Sequence, residues 1–242
     1  MAVNRSSFSF RHIAPALMLV SLFALAGRAA AAEPTVSIPA PAHDMAAPAG
    51  AGLQTVVLAG GCFWGVQAVY QHTKGVTAAV SGYAGGEKST AQYEMVGTGR
   101  TGHAESVKVT FDPQQISYGK ILQIYFSVAH NPTELNYQGP DAGTQYRSAI
   151  FYASDAQKQV AASYITELEK ARIFPEPIVT KLEPLSGFYP AEDYHQDFAV
   201  LHPSYPYIVF NDAPKVENLK RLFADYYRTT PVTVMAAGKP TQ

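Results

Sequence analysis

The chain has 242 residues, 47% of them hydrophobic and 15% charged, with a formal net charge of −1 at pH 7. This apolar share supports a packed core rather than disorder, and the absence of a basic excess argues against nucleic acid as a partner. A single cysteine excludes an internal disulfide, so stability has to come from packing.

Residues 1–32 hold Arg5 and Arg11, an apolar run over 13–26, and the stretch Ala29, Ala30, Ala31, Ala32 before Glu33. That is the pattern of a secretory signal peptide, which places the protein in the periplasm or outside the cell. The run is shorter than the roughly 20 residues of a spanning helix and no later segment comes close, so no membrane span is expected. Cleavage near Ala32 removes Arg5, Arg11 and Arg28 and no acid. The 18 Lys and Arg against 19 Asp and Glu become 15 against 19, a charge of −4. Residues 33–52, rich in Pro and Ala without periodicity, read as a flexible linker. Residues 53–228 read as one catalytic domain, expected as a monomer, and 229–242 as a tail.

Residues 54–59 form an apolar strand ending at Gly60 and Gly61, and a helical pattern runs from Cys62 to about His72. A second strand is expected over 76–83, then a long Gly/Thr/Ser loop to His103, then a third strand over 104–111. Ser117 caps a helix whose apolar residues Tyr118, Ile121, Leu122, Tyr125, Val128 and Ala129 keep helical spacing. A fourth strand spans 148–152. Ser154 and Gln157 make a capping box for a helix with Val160, Ala161, Tyr164 and Leu168 inward. A fifth strand is expected near 178–182. A last helix has Pro214 in its first turn and Val216, Leu219, Leu222, Phe223 and Tyr226 on one face. Strands and helices that interleave without a regular βαβ rhythm indicate an α+β sandwich: one mixed sheet with helices packed against it.

Two residues carry the chemistry. Cys62 follows two glycines at a helix start, where backbone amides turn toward the sulfur and the helix end favours an anion. Most lone cysteines are small buried hydrophobes. The helix start, the glycines and the export signal favour a reactive, ionised thiol, and since the helix end supplies less than about 1 kcal/mol, other hydrogen-bond donors have to help ionise it. In the third strand Glu105 alternates with Val107, Val109 and Phe111, which puts a carboxyl on the apolar face. Burial there raises its pKa and makes it a general acid, whereas a strand-end glutamate that curls back to solvent would not be one. The segment around Asp141 and Tyr146 and the loop tyrosine Tyr93 are candidate pocket residues. His195 reads as a structural histidine, and the scattered histidines lack metal-ligand spacing. A cysteine hydrolase or acyltransferase pairing Cys62 with His103 or His195 is the competing reading; a module that only binds exposed methionines is a third.

The blocks Gly61-Cys62-Phe63-Trp64-Gly65, Gly82-Tyr83-Ala84-Gly85-Gly86, Thr101-Gly102-His103-Ala104-Glu105, the segment 139–148 and the segment 189–196 together resemble the A-type peptide methionine sulfoxide reductases, in that family's order. The resemblance spans about 53–210 and implies an α+β fold with a ferredoxin-like core. It implies that Cys62 attacks the sulfur of methionine S-sulfoxide, free or in proteins, and that Glu105 protonates the departing oxygen. By the same resemblance Tyr93 and Tyr146 hydrogen-bond that oxygen, Asp141 supports the polar site, and Phe63 with Trp64 forms the methyl pocket. No bound cofactor is implied. Many relatives recycle the sulfenic acid through further cysteines, and this chain has none. An external thiol is therefore expected: glutathione or another small thiol, or a protein of thioredoxin or glutaredoxin type. Asn131 stands where relatives commonly carry aspartate.

Overall fold

The computed structural model describes Met1, residues 35–47 and residues 50–235. The signal-peptide reading lies outside the described residues, apart from Met1.

In chain order the elements are β1 (Gln54–Ala59), α1 (Phe63–Gln71), β2 (Val76–Ala84), a short α2 (Tyr93–Val96), β3 (Ala104–Phe111) and α3 (Tyr118–Ile124), which continues as a π-helical turn over Tyr125–Ala129. Then come the two-residue strands β4 (Tyr137–Gln138) and β5 (Asp141–Ala142), followed by β6 (Ala149–Tyr152), α4 (Asp155–Lys170), β7 (Lys181–Pro184) and β8 (Phe188–Pro190). A short α5 (Phe198–Leu201), a π-helical turn over Ile208–Asp212 and α6 (Ala213–Leu222) complete the domain.

Six strands form one sheet in the order β7-β6-β1-β3-β2-β8, antiparallel except for the β6–β7 pair. Its centre, β6-β1-β3-β2, is filled by the succession β1-α1-β2-β3-α3-β6. That is the split βαβ arrangement of a ferredoxin-like core. The core holds Val56, Leu58, Val107, Val109, Phe111 and Ile150 from the strands against Val66, Val69, Ile121, Tyr125, Tyr164 and Leu168 from the helices. Leu58 pairs with Val107 in antiparallel register, so the next β3 residue on that face, Glu105, falls beside the turn that leaves β1. This register brings the acid to the thiol.

Ser117 caps α3 by accepting from the Lys120 amide at 3.2 Å, and Ser154 caps α4 by accepting from Gln157 at 3.3 Å. The capping box is displaced by one residue. The Gln157 side chain accepts from the amide of Ala153 and donates to the Thr55 carbonyl of β1, which ties the helix start to the sheet. The fifth strand of the sequence reading begins at Lys181 rather than 178. The last helix stops at Leu222, and Tyr226 lies in the 3₁₀ turn after it.

The expected flexible linker is corrected by its own packing. Ile38 is 5% exposed, and its carbonyl accepts from Gln123 at 2.7 Å. Pro39 accepts from the Tyr164 hydroxyl, Ala42 donates to Glu167, and Asp44 accepts from the Gly119 amide in the first turn of α3. Composition hid this because an extended strap bound by its own backbone needs no periodicity. Ile38→Ala should lower unfolding stability by about 2 kcal/mol, at the low end for a buried isoleucine because the strap can settle, as read by urea denaturation.

Candidate active site

Cys62 is the N-cap residue of α1 and is 9% exposed. The turn before it is built from two glycines for steric reasons. A Cβ on Gly60 would lie 2.9 Å from His130, and one on Gly61, whose φ is +86°, would lie 2.6 Å from Gln138. Only glycine adopts that φ without strain while these side chains press on both sides. His130 is locked by hydrogen bonds to Ser148 and the Tyr125 carbonyl, and Gln138 by bonds to the backbone of Asn131. Asn131 Nδ2 donates to Glu134, a bond an ionised aspartate at this position could not make.

Phe63 N–H, the first free amide of α1, donates to Glu105 Oε2 at 3.1 Å, while the Cys62 side chain at the N-cap makes no capping hydrogen bond. Glu105 is 4% exposed and does not curl back to solvent. Burial raises its pKa to about 8 against the opposing Phe63 amide, with Asp141 and Asp212 adding to the rise. At neutral pH it is a carboxylic acid, as a proton donor must be.

Ionisation of Cys62 in the free enzyme is where the sequence reading fails. Burial, followed by Asp212, by Glu105 once it ionises, and by Asp141, pushes the thiol well above its ordinary value, and among these influences only the Trp64 amide pulls it down. The helix end contributes less than about 1 kcal/mol and is outweighed. Cys62 rests as a thiol.

Tyr93 and Tyr146 converge on this pair. Both hydroxyls are raised first by burial and then by Glu105, with Cys62 among the further causes for each. Tyr93 is held by its amide, which donates to Glu192 Oε1 at 2.9 Å, and by its ring, 4.3 Å from that of His195. Glu192 also accepts from the Tyr83 hydroxyl. Asp141, in β5, accepts from the Tyr207 hydroxyl, and burial raises its pKa.

The two aromatic candidates separate. Trp64 is half-buried, its ring stacked on Phe198 at 3.8 Å and edged by Tyr205 and Tyr207. Phe63 is 1% exposed, wedged between Tyr83 and His195, and backs the pocket from the core side.

Neither histidine serves Cys62 as a base. Both ring nitrogens of His103 are bonded to the backbone of the preceding loop, at Gly86 and Glu87. His195 Nδ1 faces Trp64 Nε1 at 3.2 Å, and burial lowers its pKa, which keeps the ring neutral. Sequence reasoning overlooked Glu192, Tyr207, Asp212 and Lys215. Glu192 sat inside a recognised block, but the other three come from the segment after 201, where nothing in spacing or composition signals the contact. Among the described residues no group of His, Cys, Asp or Glu is arranged to hold a metal ion, and no helix is long and apolar enough to cross a membrane.

A family model described as peptide methionine sulfoxide reductase matches residues 54–227. The peptide methionine sulfoxide reductase MsrA 2 of Mesorhizobium japonicum is 64% identical over 187 residues, covering 77% of this chain and 96% of that protein. Its namesake in Synechocystis is 47% identical over 174 residues, covering 72% and 81%. Among solved structures, reduced Mxr1 from Saccharomyces cerevisiae superposes with a TM-score of 0.57 at 34% identity, covering 68% of this chain and 92% of that one. Methionine sulfoxide reductase A of Corynebacterium diphtheriae gives 0.54 at 31%, covering 71% and 87%.

Proposed function

Because the chain belongs to the peptide methionine sulfoxide reductase family, we propose that its Cys62 takes the oxygen from methionine S-sulfoxide while Glu105 acts as the general acid. The enzyme is an oxidoreductase that converts methionine sulfoxide to methionine, and the hydrolase alternative is withdrawn. One observation carries the assignment of roles: the Phe63 amide of α1 holds the protonated carboxyl of Glu105 at the same helix end as the neighbouring Cys62 thiol.

Sγ attacks the sulfoxide sulfur as Glu105 delivers a proton to the oxygen, with Tyr93 and Tyr146 hydrogen-bonding that oxygen. The sulfur–oxygen bond breaks as the oxygen passes to Sγ, and the transient bond between Sγ and the substrate sulfur breaks with its electron pair on the substrate sulfur, so Sγ is oxidised by two electrons and the substrate sulfur reduced by two. Thiol plus sulfoxide becomes sulfenic acid plus thioether, with protons balanced after the thiol proton is returned. No metal or organic cofactor is required by this bookkeeping.

With no second cysteine in the chain, an external thiol closes the cycle. Its thiolate displaces water from the sulfenic acid to form a mixed disulfide, and a second thiol releases Cys62 and leaves as a disulfide. The leader-like pattern of residues 1–32 supports action on oxidised proteins of the periplasm or the cell exterior.

The test is a single turnover without thiol. One methionine should form per enzyme, and Cys62 should become reactive toward a 1,3-diketone sulfenic-acid probe. Methionine formed while Cys62 stays unlabelled and free would overturn the assignment.

A further inference from the structure

One buried ion pair has no part in the steps above. Asp212 is fully buried, Lys215 is 7% exposed, and Nζ lies 3.4 Å from Oδ1. Asp212 Oδ2 has no hydrogen-bond partner among the described residues. Leaving a buried carboxylate oxygen unsatisfied costs on the order of 1–3 kcal/mol, so this placement calls for an explanation. The pair bears on a single point of the fold. A Cβ on Gly65 would lie 2.1 Å from Asp212 Oδ1 and 3.1 Å from Lys215 Nζ. Gly65 is in the first turn of α1, three residues after Cys62, and its bare Cα is what admits the carboxylate there.

We propose that Asp212, braced by Lys215, is a positioning residue of the sulfoxide reduction: its carboxylate, lodged against the first turn of α1, keeps the proton on Cys62. This rests on Cys62 being the nucleophile. The groups coupled to Cys62 are Glu105 from β3, Asp141 from β5, Tyr146 from the turn before β6, Tyr93 from α2, and Tyr207 and Asp212 from the segment before α6, while Lys215 from α6 acts on Asp212. Glu105, at about 8, is uncharged at neutral pH. Asp212, at about 6 with Lys215 holding it down against burial, is charged and gives the largest electrostatic opposition to a thiolate. The arrangement has a chemical use. A thiolate reacts readily with peroxide, and in a chain with no second cysteine nothing internal captures the sulfenic acid before it oxidises further.

The experiment follows alkylation of Cys62 by iodoacetamide as a function of pH in the full chain without substrate. Asp212→Asn should move the profile to lower pH and raise the rate at pH 7 by about tenfold, with hydrogen peroxide inactivation accelerated by a similar factor. Glu217→Gln, which removes an exposed charge elsewhere on α6, should leave the profile in place. If Asp212→Asn does not fold, Asp212→Ser carries the same expectation. A folded Asp212 variant whose profile superimposes on the wild type, or a shift matched by Glu217→Gln, overturns the proposal. Neither readout uses a sulfoxide, so this idea and the proposed activity fail separately.

Discussion

Cys62→Ser should give a folded protein whose sulfoxide reduction falls by on the order of 10⁴–10⁶-fold, beyond detection, at every thiol concentration. The substitution is small, and Ser keeps an atom at the N-cap of α1 that can accept the Trp64 amide, so the turn built on Gly60 and Gly61 has no reason to move. What disappears is the polarisable atom that can carry the transferred oxygen and be cleared by a thiol. A hydroxyl at this position would have to become a hydroperoxide, an oxidation that a sulfoxide is too weak an oxidant to drive. The assay is methionine release from an oxidised peptide with dithiothreitol present, with circular dichroism to show the fold intact. Appreciable turnover in this variant would mean that the reductant attacks the sulfoxide directly, and the chain's only thiol would then be a packing residue.

How far this site can be read from the sequence depends on how local its causes are. β1 and β3 follow from apolar runs and strict alternation, and their observed bounds match the expectation because both lie in the sheet centre, where burial leaves no freedom of register. The same alternation put Glu105 on the inner face. β8 escaped notice because three residues ending in Pro190 carry no strand pattern, and an edge strand beside β2 tolerates proline. β7 was displaced for a related reason: its exposed Lys181 and terminal Pro184 look like loop until the parallel ladder to β6 is seen. α2 lay inside a loop of Gly, Ser and Thr because four residues give too little helical signal.

The site divides in the same way. Cys62, Glu105, Tyr146 and Asp141 fall within recognisable blocks and Tyr93 in the long loop between two of them, and the structure brings them together. The protonation state of Cys62 was misjudged because it is set by burial and by Asp212, 150 positions along the chain, which no local pattern connects to it. Local reasoning sees the helix end and the glycines, both of which favour an anion. It does not see the carboxylates that tertiary packing adds against it.

Glu105→Gln should lower the single-turnover rate by about 10²–10⁴-fold and also change the shape of its pH dependence. In the wild type the productive form needs an ionised Cys62 and a protonated Glu105. Because the thiol is held well above its ordinary value and Glu105 loses its proton at about 8, the rate should climb with pH up to about 8. It should then level off, since each further gain in thiolate is cancelled by a loss of acid. The amide in Glu105→Gln has no proton to lose, so its slower rate should keep climbing past that point until the thiol itself is ionised. Stability moves in the opposite sense. A carboxyl whose folded pKa of about 8 lies above its unfolded value contributes stability that is complete in acid and lost as pH rises between those two values. The wild type should therefore weaken from about pH 4.5 to 8 by an amount on the order of 3–5 kcal/mol from this one residue, and Glu105→Gln should show no such decline. Stopped-flow rates and urea midpoints at matched pH test both limbs. If the two proteins lose stability in parallel across that range, Glu105 is ionised in the folded enzyme at neutral pH and is not the acid.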